Sequence, residues 1–284
     1  MKDDYPLSIA CQGATGSFSH LAGQAFFKAP FNLVETKRFE EIFLAIVEGR
    51  SSFGVLPIEN SLIGSIYENY DLLCRYDIPI RGEVYLRIQH NLLVLPDQTM
   101  TPHERISHIS QVCSHPKALE QCRILFEEYP HFSPEPFSDT AGAARFVAQS
   151  GDLCRAAIAS EQAAQVYGLT ILLPSIEDDP QNYTRFLVVG KPQIPHGFPS
   201  KVSLVATLEH EPGSLLKVLA ELKDQGGNLT KIESRPVRGK PFQYLFYLDV
   251  IHPEGADVLV RGLTRLTTSL RILGEYSPGD LSRD

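Results

Sequence analysis

The chain has 284 residues, with 26 Lys+Arg against 34 Asp+Glu and a formal net charge of −8. That balance argues against a broad nucleic-acid surface, which needs a basic patch, and 43% hydrophobic with 21% charged residues excludes wholesale disorder. The length sets a prior of about two domains, each able to bury a core. The opening MKDDYPLSIAC has no long apolar stretch behind a basic start, so no secretory signal is expected. No window of about 18 apolar residues predicts a membrane span. Cys11, Cys74, Cys113, Cys122 and Cys154 are odd in number and form no CxxC pair. That usage predicts neither a disulfide framework nor a zinc site and fits a reducing cytoplasm.

In chain order, Leu7–Cys11 reads as a strand. His20–Lys28 reads as a helix with Ser17 or Ser19 as its cap. Phe39, Ile42, Phe43, Ile46 and Val47 carry the helical spacing of Phe39–Glu48. Phe53–Leu56 is a buried strand, Ile66–Arg75 a helix, Val84–Leu95 strand-rich and Ile109–Cys113 a strand. Helices are expected at Pro116–Glu128, Thr140–Gln149 and Glu161–Val166, and strands at Ala156–Ala159, Thr170–Leu173 and Thr184–Val189. This β-α-β alternation predicts an α/β region with a largely parallel sheet, whose ligands sit where loops leave the carboxyl ends of strands.

Lys191–Ser200, KPQIPHGFPS, has three prolines and a glycine and reads as a linker. It predicts domains at 1–190 and 201–284. Beyond it, strands at Val202–Leu208, Leu229–Ser234, Gln243–Val250 and Arg271–Tyr276 alternate with helices at Ser214–Lys223 and Ala256–Thr267. The order β-α-β-β-α-β is that of the ferredoxin-like unit.

Five junctions carry polar residues. Gly13–Ser19 is glycine-rich before a helix and is expected either to offer backbone N–H groups to an anion or to form a plain turn. Pro57–Ser65 is expected as a loop after a strand, with Glu59, Asn60 and Ser61 offering an acid, an amide and a hydroxyl. Ser114-His115-Pro116-Lys117 and Ser138-Asp139-Thr140-Ala141 read equally as helix caps. Asp178–Phe186 runs polar groups into a strand, where Arg185 can grip a carboxylate and Thr184 can donate a hydrogen bond. The nine histidines match no metal spacing, and no Walker, GxGxxG or GxSxG motif is present, so neither metal nor cofactor is expected.

Taken together and in order, Gly13-Ala14-Thr15-Gly16-Ser17-Phe18-Ser19, Pro57–Gly64, Ser114–Leu119, Asp139–Ala144, Ala157–Ser160 and Asn182-Tyr183-Thr184-Arg185-Phe186 resemble prephenate dehydratase. Glu211–Leu216 and Ile232–Pro236 resemble an ACT regulatory domain. Ala14 departs from the family's Gly-Pro, and Ser214 from its Gly-Ala-Leu. The resemblance covers nearly the whole chain. It implies two α/β lobes similar to type II periplasmic binding proteins, followed by the ACT domain. It also implies conversion of prephenate to phenylpyruvate, water and carbon dioxide in phenylalanine biosynthesis.

On that resemblance Thr184 is the residue tied to catalysis, supported by Glu59 and His115. Thr15, Asn60, Ser61, Gly64, Ser114, Thr140, Arg185 and Phe186 are the expected substrate contacts, with Arg185 on the pyruvyl carboxylate. Gly213, Ser214, Leu215, Leu216, Glu233, Ser234, Arg235 and Pro236 are the expected site for phenylalanine as allosteric effector. A homodimer or homotetramer is expected, since ACT domains pair side by side. The alternatives are arogenate dehydratase, or a non-catalytic protein binding a small carboxylate.

Overall fold

The computed structural model describes residues 7–198, 200–237, 239 and 243–280. The first six residues of the opening read for a signal, Pro199 of the expected linker and the last four residues of the expected second domain lie outside the described residues.

In chain order the elements are β1 (Ser8–Gln12), α1 (Phe18–Phe27), β2 (Asn32–Thr36), α2 (Phe39–Val47), β3 (Phe53–Asn60), β4 (Gly64–Ser65) and α3 (Tyr67–Arg75). Next come β5 (Ile80–Arg87), β6 (Asn91–Val94), α4 (Pro102–His108), β7 (Gln111–Ser114), α5 (Pro116–Glu120) and α6 (Arg123–Glu128). They continue with β8 (Ser133–Pro136), α7 (Thr140–Ser150), β9 (Arg155–Ala159), α8 (Glu161–Tyr167), β10 (Thr170–Leu173) and β11 (Tyr183–Gly190). The chain ends with β12 (Ser200–Thr207), α9 (Ser214–Asp224), β13 (Asn228–Pro236), β14 (Tyr244–His252), α10 (Ala256–Leu263), a 3-10 turn at Thr264–Leu266 and β15 (Ser269–Tyr276). No described helix is long and apolar enough to cross a membrane.

Two compact units emerge. The first joins the chain up to Asn69 with Val84–Phe186, and the second joins Tyr70–Glu83 with Leu187–Asp280. Within the first unit, one lobe orders its strands β11-β3-β1-β2, with β4 folded back on β3. β1 runs parallel to β2 and β3. The other lobe has the order β10-β6-β9-β7-β8. Its β9, β7 and β8 are parallel, but β6 is antiparallel to both its neighbours, so the sheet is mixed rather than largely parallel. Both faces of this sheet are covered. Ala157 and Ala159 of β9 join one apolar cluster, and Ala156 and Ile158 join another, as the alternation of side chains along a strand requires.

Three sequence expectations change. The helix expected over Pro116–Glu128 is two helices. Distant Asp178 accepts from the N–H groups of Arg123 and Ile124, both at 3.1 Å, and so caps a new helix start. The expected loop at Pro57–Asn60 continues β3, because Glu59 and Asn60 pair with Ser65 and Gly64 of β4. The helix expected over Ala256–Thr267 stops at Leu263 and tightens into the 3-10 turn.

In the second unit the strand order is β13-β14-β12-β15-β5. One sheet face holds Val202, Leu204, Leu248 and Val250 against Val218, Leu222, Leu259 and Leu263 of α9 and α10. The other face is polar and buried by Tyr70–Glu83. Lys201 Nζ meets the Glu83 carboxylate at 2.9 and 3.0 Å. Ser203 Oγ donates to Asp249 Oδ1 at 2.5 Å, and Arg235 reaches Asp71 at 3.1 Å. At Gly274 a Cβ would collide with the Ile80 carbonyl, so only glycine lets β15 approach β5.

His90, between β5 and β6, is 2% exposed, with Nε2 3.1 Å from Gln121 Oε1 and Nδ1 without a partner. Burial pulls its pKa down to about 4, against a weaker opposing effect of the Gln121 hydrogen bond. The unfolded chain therefore takes up a proton near the ordinary value of about 6.5, while the folded chain refuses it. The stability held by neutral His90 is complete above pH ~6.5, falls as the pH drops towards ~4, and then levels off. The size is roughly 3 kcal/mol. The melting temperature of the wild-type chain should therefore fall more steeply between about pH 7 and pH 4 than that of His90→Asn. Parallel curves would contradict this.

Candidate active site

Asn60 stands at the last residue of β3 and organises one end of β11. Its Oδ1 accepts from the backbone N–H groups of Leu62 and Ile63, at 3.0 and 3.1 Å. Those two donors fix which end of the amide is oxygen. The Nδ2 group then faces three acceptors on the opposite strand: Asn182 Oδ1 at 2.7 Å, Thr184 Oγ1 at 2.9 Å and the Tyr183 carbonyl at 3.1 Å. Thr184 is buried, at 7% exposure. Ser61 ties the same strands: its Oγ donates to the Gln181 carbonyl and accepts from Tyr183 N, both at 2.9 Å. Gly64 supplies the left-handed backbone that turns β3 into β4. Glu59 is half-buried and adjacent to Asn60, on the opposite face of the strand by alternation. Arg185 and Phe186 follow Thr184 and are both buried, with Arg185 on the face away from Thr184.

The Gly13–Ser17 loop has no free backbone donor. Gly13 N donates to the Thr36 carbonyl at 3.0 Å, and Ser17 N to the Ala14 carbonyl at 3.0 Å. Ala14 N donates to Asp139 Oδ1 at 3.3 Å, Thr15 N to Glu35 Oε1 at 2.8 Å, and Gly16 N to His20 Nδ1 at 3.1 Å. Of the two readings of this loop, N–H groups open to an anion are not found, since carbonyls, the His20 ring and two of the chain's own carboxylates take them. Thr15 also spends its hydroxyl on Glu35, at 3.1 Å. Burial works against ionising Glu35, but the Thr15 donors and the Arg145 guanidinium, 3.1 Å away, outweigh it and hold the carboxyl below the usual range. The loop is joined to the other lobe by Asp139, by Ser160 Oγ on the Gly16 carbonyl at 2.7 Å, and by Tyr167 OH on the Thr15 carbonyl at 2.8 Å.

In that lobe Ser114 is fully buried and donates to the Ile158 carbonyl at 2.7 Å. His115 caps α5, its Nδ1 accepting from Lys117 N at 3.2 Å. That bond places the ring proton on Nε2. Burial pushes the pKa of His115 down, partly offset by the nearby Asp139 carboxylate. Neutral His115 is therefore a hydrogen-bond donor through Nε2. Thr140 opens α7, capped by Asp139, which accepts from Gly142 N at 2.7 Å. The residues missed in the sequence are Asn182, Glu35 and Tyr167. Asn182 stood inside a quoted motif, while Glu35 lies on β2, whose alternation was too weak to read.

The expected effector residues lie in the second unit. Gly213, in the left-handed region, precedes α9, and Leu216 on that helix is 70% exposed. Ser214 and Leu215 line a cavity of about 140 Å³ with Leu208, His210, Tyr244 and Phe246. Tyr244 and Phe246 are the cross-strand partners of Pro236 and Ser234. Glu233 and Arg235 alternate to the other face, where Arg235 binds Asp71. The second motif is therefore divided between two faces.

At Gly16, φ is +88° and a Cβ would lie 2.9 Å from Ala163 Cα. Replacing it with alanine adds left-handed strain of about 1–2 kcal/mol to that backbone clash. Gly16→Ala should lower the melting temperature and weaken turnover, whereas Gly64→Ala, with open space around it, should show the strain alone. Equal losses for the two variants would contradict the close approach at Gly16.

Residues 9–194 match the family model described as prephenate dehydratase. Among curated relatives, arogenate dehydratase/prephenate dehydratase 2, chloroplastic, of Arabidopsis thaliana is 39% identical over 282 residues, covering 94% of this chain and 72% of that one. Among solved structures, GqqA, described as a novel type of quorum quenching acylase, aligns with a TM-score of 0.83 at 31% identity, over 98% of this chain and 100% of that one. The prephenate dehydratase of Arthrobacter aurescens in complex with L-Phe aligns at 0.82 with 27% identity, over 95% of this chain and 90% of that one. The chain belongs to the prephenate dehydratase family.

Proposed function

We propose that the chain converts prephenate to phenylpyruvate, and that Thr184 donates a hydrogen bond to the departing ring hydroxyl. The observation that carries this is the Asn60–Thr184 contact at 2.9 Å. Thr184 Oγ1 already accepts a proton there, so its own hydrogen is free to point elsewhere. In the reaction the bond from the ring to its carboxylate breaks and carbon dioxide leaves. The electron pair enters the ring, and the hydroxyl departs with a proton as water. Aromatisation supplies the driving force, so orientation and assistance to the leaving oxygen are what the protein adds.

His115, neutral with its proton on Nε2, is the supporting donor, whereas Glu59 lies on the opposite face of β3 from Asn60 and is left out of this set. Ser61, Gly64, Ser114 and Thr140 shape the walls. Phe186 lies on the same face of β11 as Thr184 and backs it with apolar bulk, whereas Arg185 lies on the other face, so the expected contact of Arg185 with the pyruvyl carboxylate is not kept. Thr15 joins the site once a substrate carboxylate competes with Glu35. The fold alone does not decide the chemistry, since GqqA shares it under another activity.

We further propose that residues 1–190 are the catalytic part, 191–200 a linker, and 201–284 an ACT-type regulatory domain that binds phenylalanine. The L-Phe complex of the Arthrobacter aurescens protein supports this reading, as does the cavity beside Ser214 and Leu215. β13 is the edge strand of its sheet and offers a row of backbone groups for pairing with a second copy.

Thr184→Val, which removes the hydroxyl and keeps the shape, should lower kcat on prephenate by about 100-fold or more. Thr184→Ser should keep most of it. Near wild-type turnover by Thr184→Val would sink the assignment, and turnover of arogenate in preference to prephenate would move the substrate. Phenylalanine should raise the melting temperature of the wild-type chain and lose that effect in Ser214→Trp, which fills the cavity. No shift in the wild type would remove the regulatory reading.

A further inference from the structure

We propose that Asn60 is a positioning residue that sets the direction of the Thr184 proton, rather than a contact for substrate. The inference rests on the dehydratase reading above. Leu62 N and Ile63 N both donate to Asn60 Oδ1, so the amide cannot rotate without leaving two backbone donors unpaired. Leu62 and Ile63 are exposed, so each bond contributes about 0.5–1.5 kcal/mol, and a turned amide would also set its oxygen against the acceptors on the other side. The hairpin turn thereby commits Nδ2 to face β11.

Nδ2 carries two hydrogens and meets three acceptors. Asn182 Oδ1, the shortest contact at 2.7 Å, takes one. The other is shared between Thr184 Oγ1 and the Tyr183 carbonyl, at 2.9 and 3.1 Å. Asn182 is fully buried, and its own Nδ2 has no partner, so its oxygen has no competing role on that side chain. A hydroxyl that accepts from Asn60 cannot also donate to it. Its proton is directed away from Asn60, which is what assistance to a leaving oxygen requires. The donated hydrogen bond also stabilises negative charge building on Oγ1, by the same logic as an oxyanion-hole donor.

The polarity can be reversed by one atom. In Asn60→Asp the ionised carboxylate accepts from Leu62 N and Ile63 N as before, but it also accepts from Thr184, turning the hydroxyl inward. The two N–H donors favour that ionised form, so the hydroxyl stays turned inward across the assayed pH range. Steady-state kinetics on prephenate should be read from about pH 8 to pH 5, with a no-enzyme control at each pH. Wild-type kcat sets the reference profile. For Asn60→Asp, kcat should be down by about 100-fold at every pH in this range, with KM within about threefold throughout. Asn60→Ala, which adds no charge, should lose kcat at every pH by the same factor, again with KM preserved.

An Asn60→Asp variant that keeps wild-type kcat would overturn the proposal. So would an Asn60→Ala variant that keeps kcat and raises KM, since that marks a substrate contact. Thr184→Val separates the two levels. If it stays active, the dehydratase assignment of Thr184 fails. If it is inactive while Asn60→Asp keeps wild-type kcat, only the role of Asn60 fails.

Discussion

The carboxamide of Asn60 is the constraint around which the candidate site is built. Two backbone N–H groups of the β3–β4 turn hold its oxygen, and three acceptors of β11 share its nitrogen. One buried side chain engages five polar groups, two of them on an exposed turn. Each such bond contributes only about 1 kcal/mol net, yet leaving a buried one unpaired costs more. The asymmetry is what fixes the geometry. The register of β3 against β4, and the approach of β3 to β11, cannot drift by one residue without orphaning part of this set. Ser61 repeats the tie one residue later, through the Gln181 carbonyl and Tyr183 N. Thr184 is consequently presented on a strand rather than on a mobile loop, which suits a group that must be held to a fraction of an ångström.

The opposite wall is arranged differently. The first loop is saturated from within the chain: carboxylates take Ala14 N and Thr15 N, His20 takes Gly16 N, and backbone carbonyls take Gly13 N and Ser17 N. Asp139 ties Ala14 N while capping α7, and Glu35 ties Thr15 while pairing with Arg145. Ser160 and Tyr167 take the loop's carbonyls at Gly16 and Thr15. The loop also seats Ala14 in the apolar cluster of the other lobe, which includes Ala141 and Ala163, so the two lobes of the first unit are joined by polar and apolar contacts together. His115 is half-buried, capped through Nδ1 and kept neutral, so it offers a donor without carrying charge.

Much of this was legible in the sequence, and the misses share a cause. Periodicity found α2 and β9 because their apolar residues are dense and regular. It found the β-α-β-β-α-β order because each segment carries its own pattern. β8, with the sequence SPEP, escaped because two prolines argue against a strand; it is an edge strand, where proline is tolerated. α4 escaped despite the Thr101–Glu104 capping box, a local signal present but unread. The break between α5 and α6 was unreadable locally, since its cap is Asp178, more than fifty residues away. The site followed the same rule. Thr184, Asn60 and His115 came from motifs, whereas the saturation of the Gly13–Ser17 loop depends on Glu35 and Asp139 arriving from elsewhere. The polar face that buries Tyr70–Glu83 in the second unit was likewise invisible, because Glu83, Asp71 and their partners Lys201 and Arg235 are far apart in sequence.

The central claim is that this chain carries out decarboxylative dehydration of prephenate. The most direct measurement is product balance with the purified wild-type chain: prephenate consumed, phenylpyruvate formed as read in alkali, and carbon dioxide released. The account predicts that the three quantities are equal and that catalysis is rapid beside the uncatalysed control. Failure to form an aromatic product from either prephenate or arogenate, with cleavage of an acylated substrate instead, would contradict it and align the chain with GqqA.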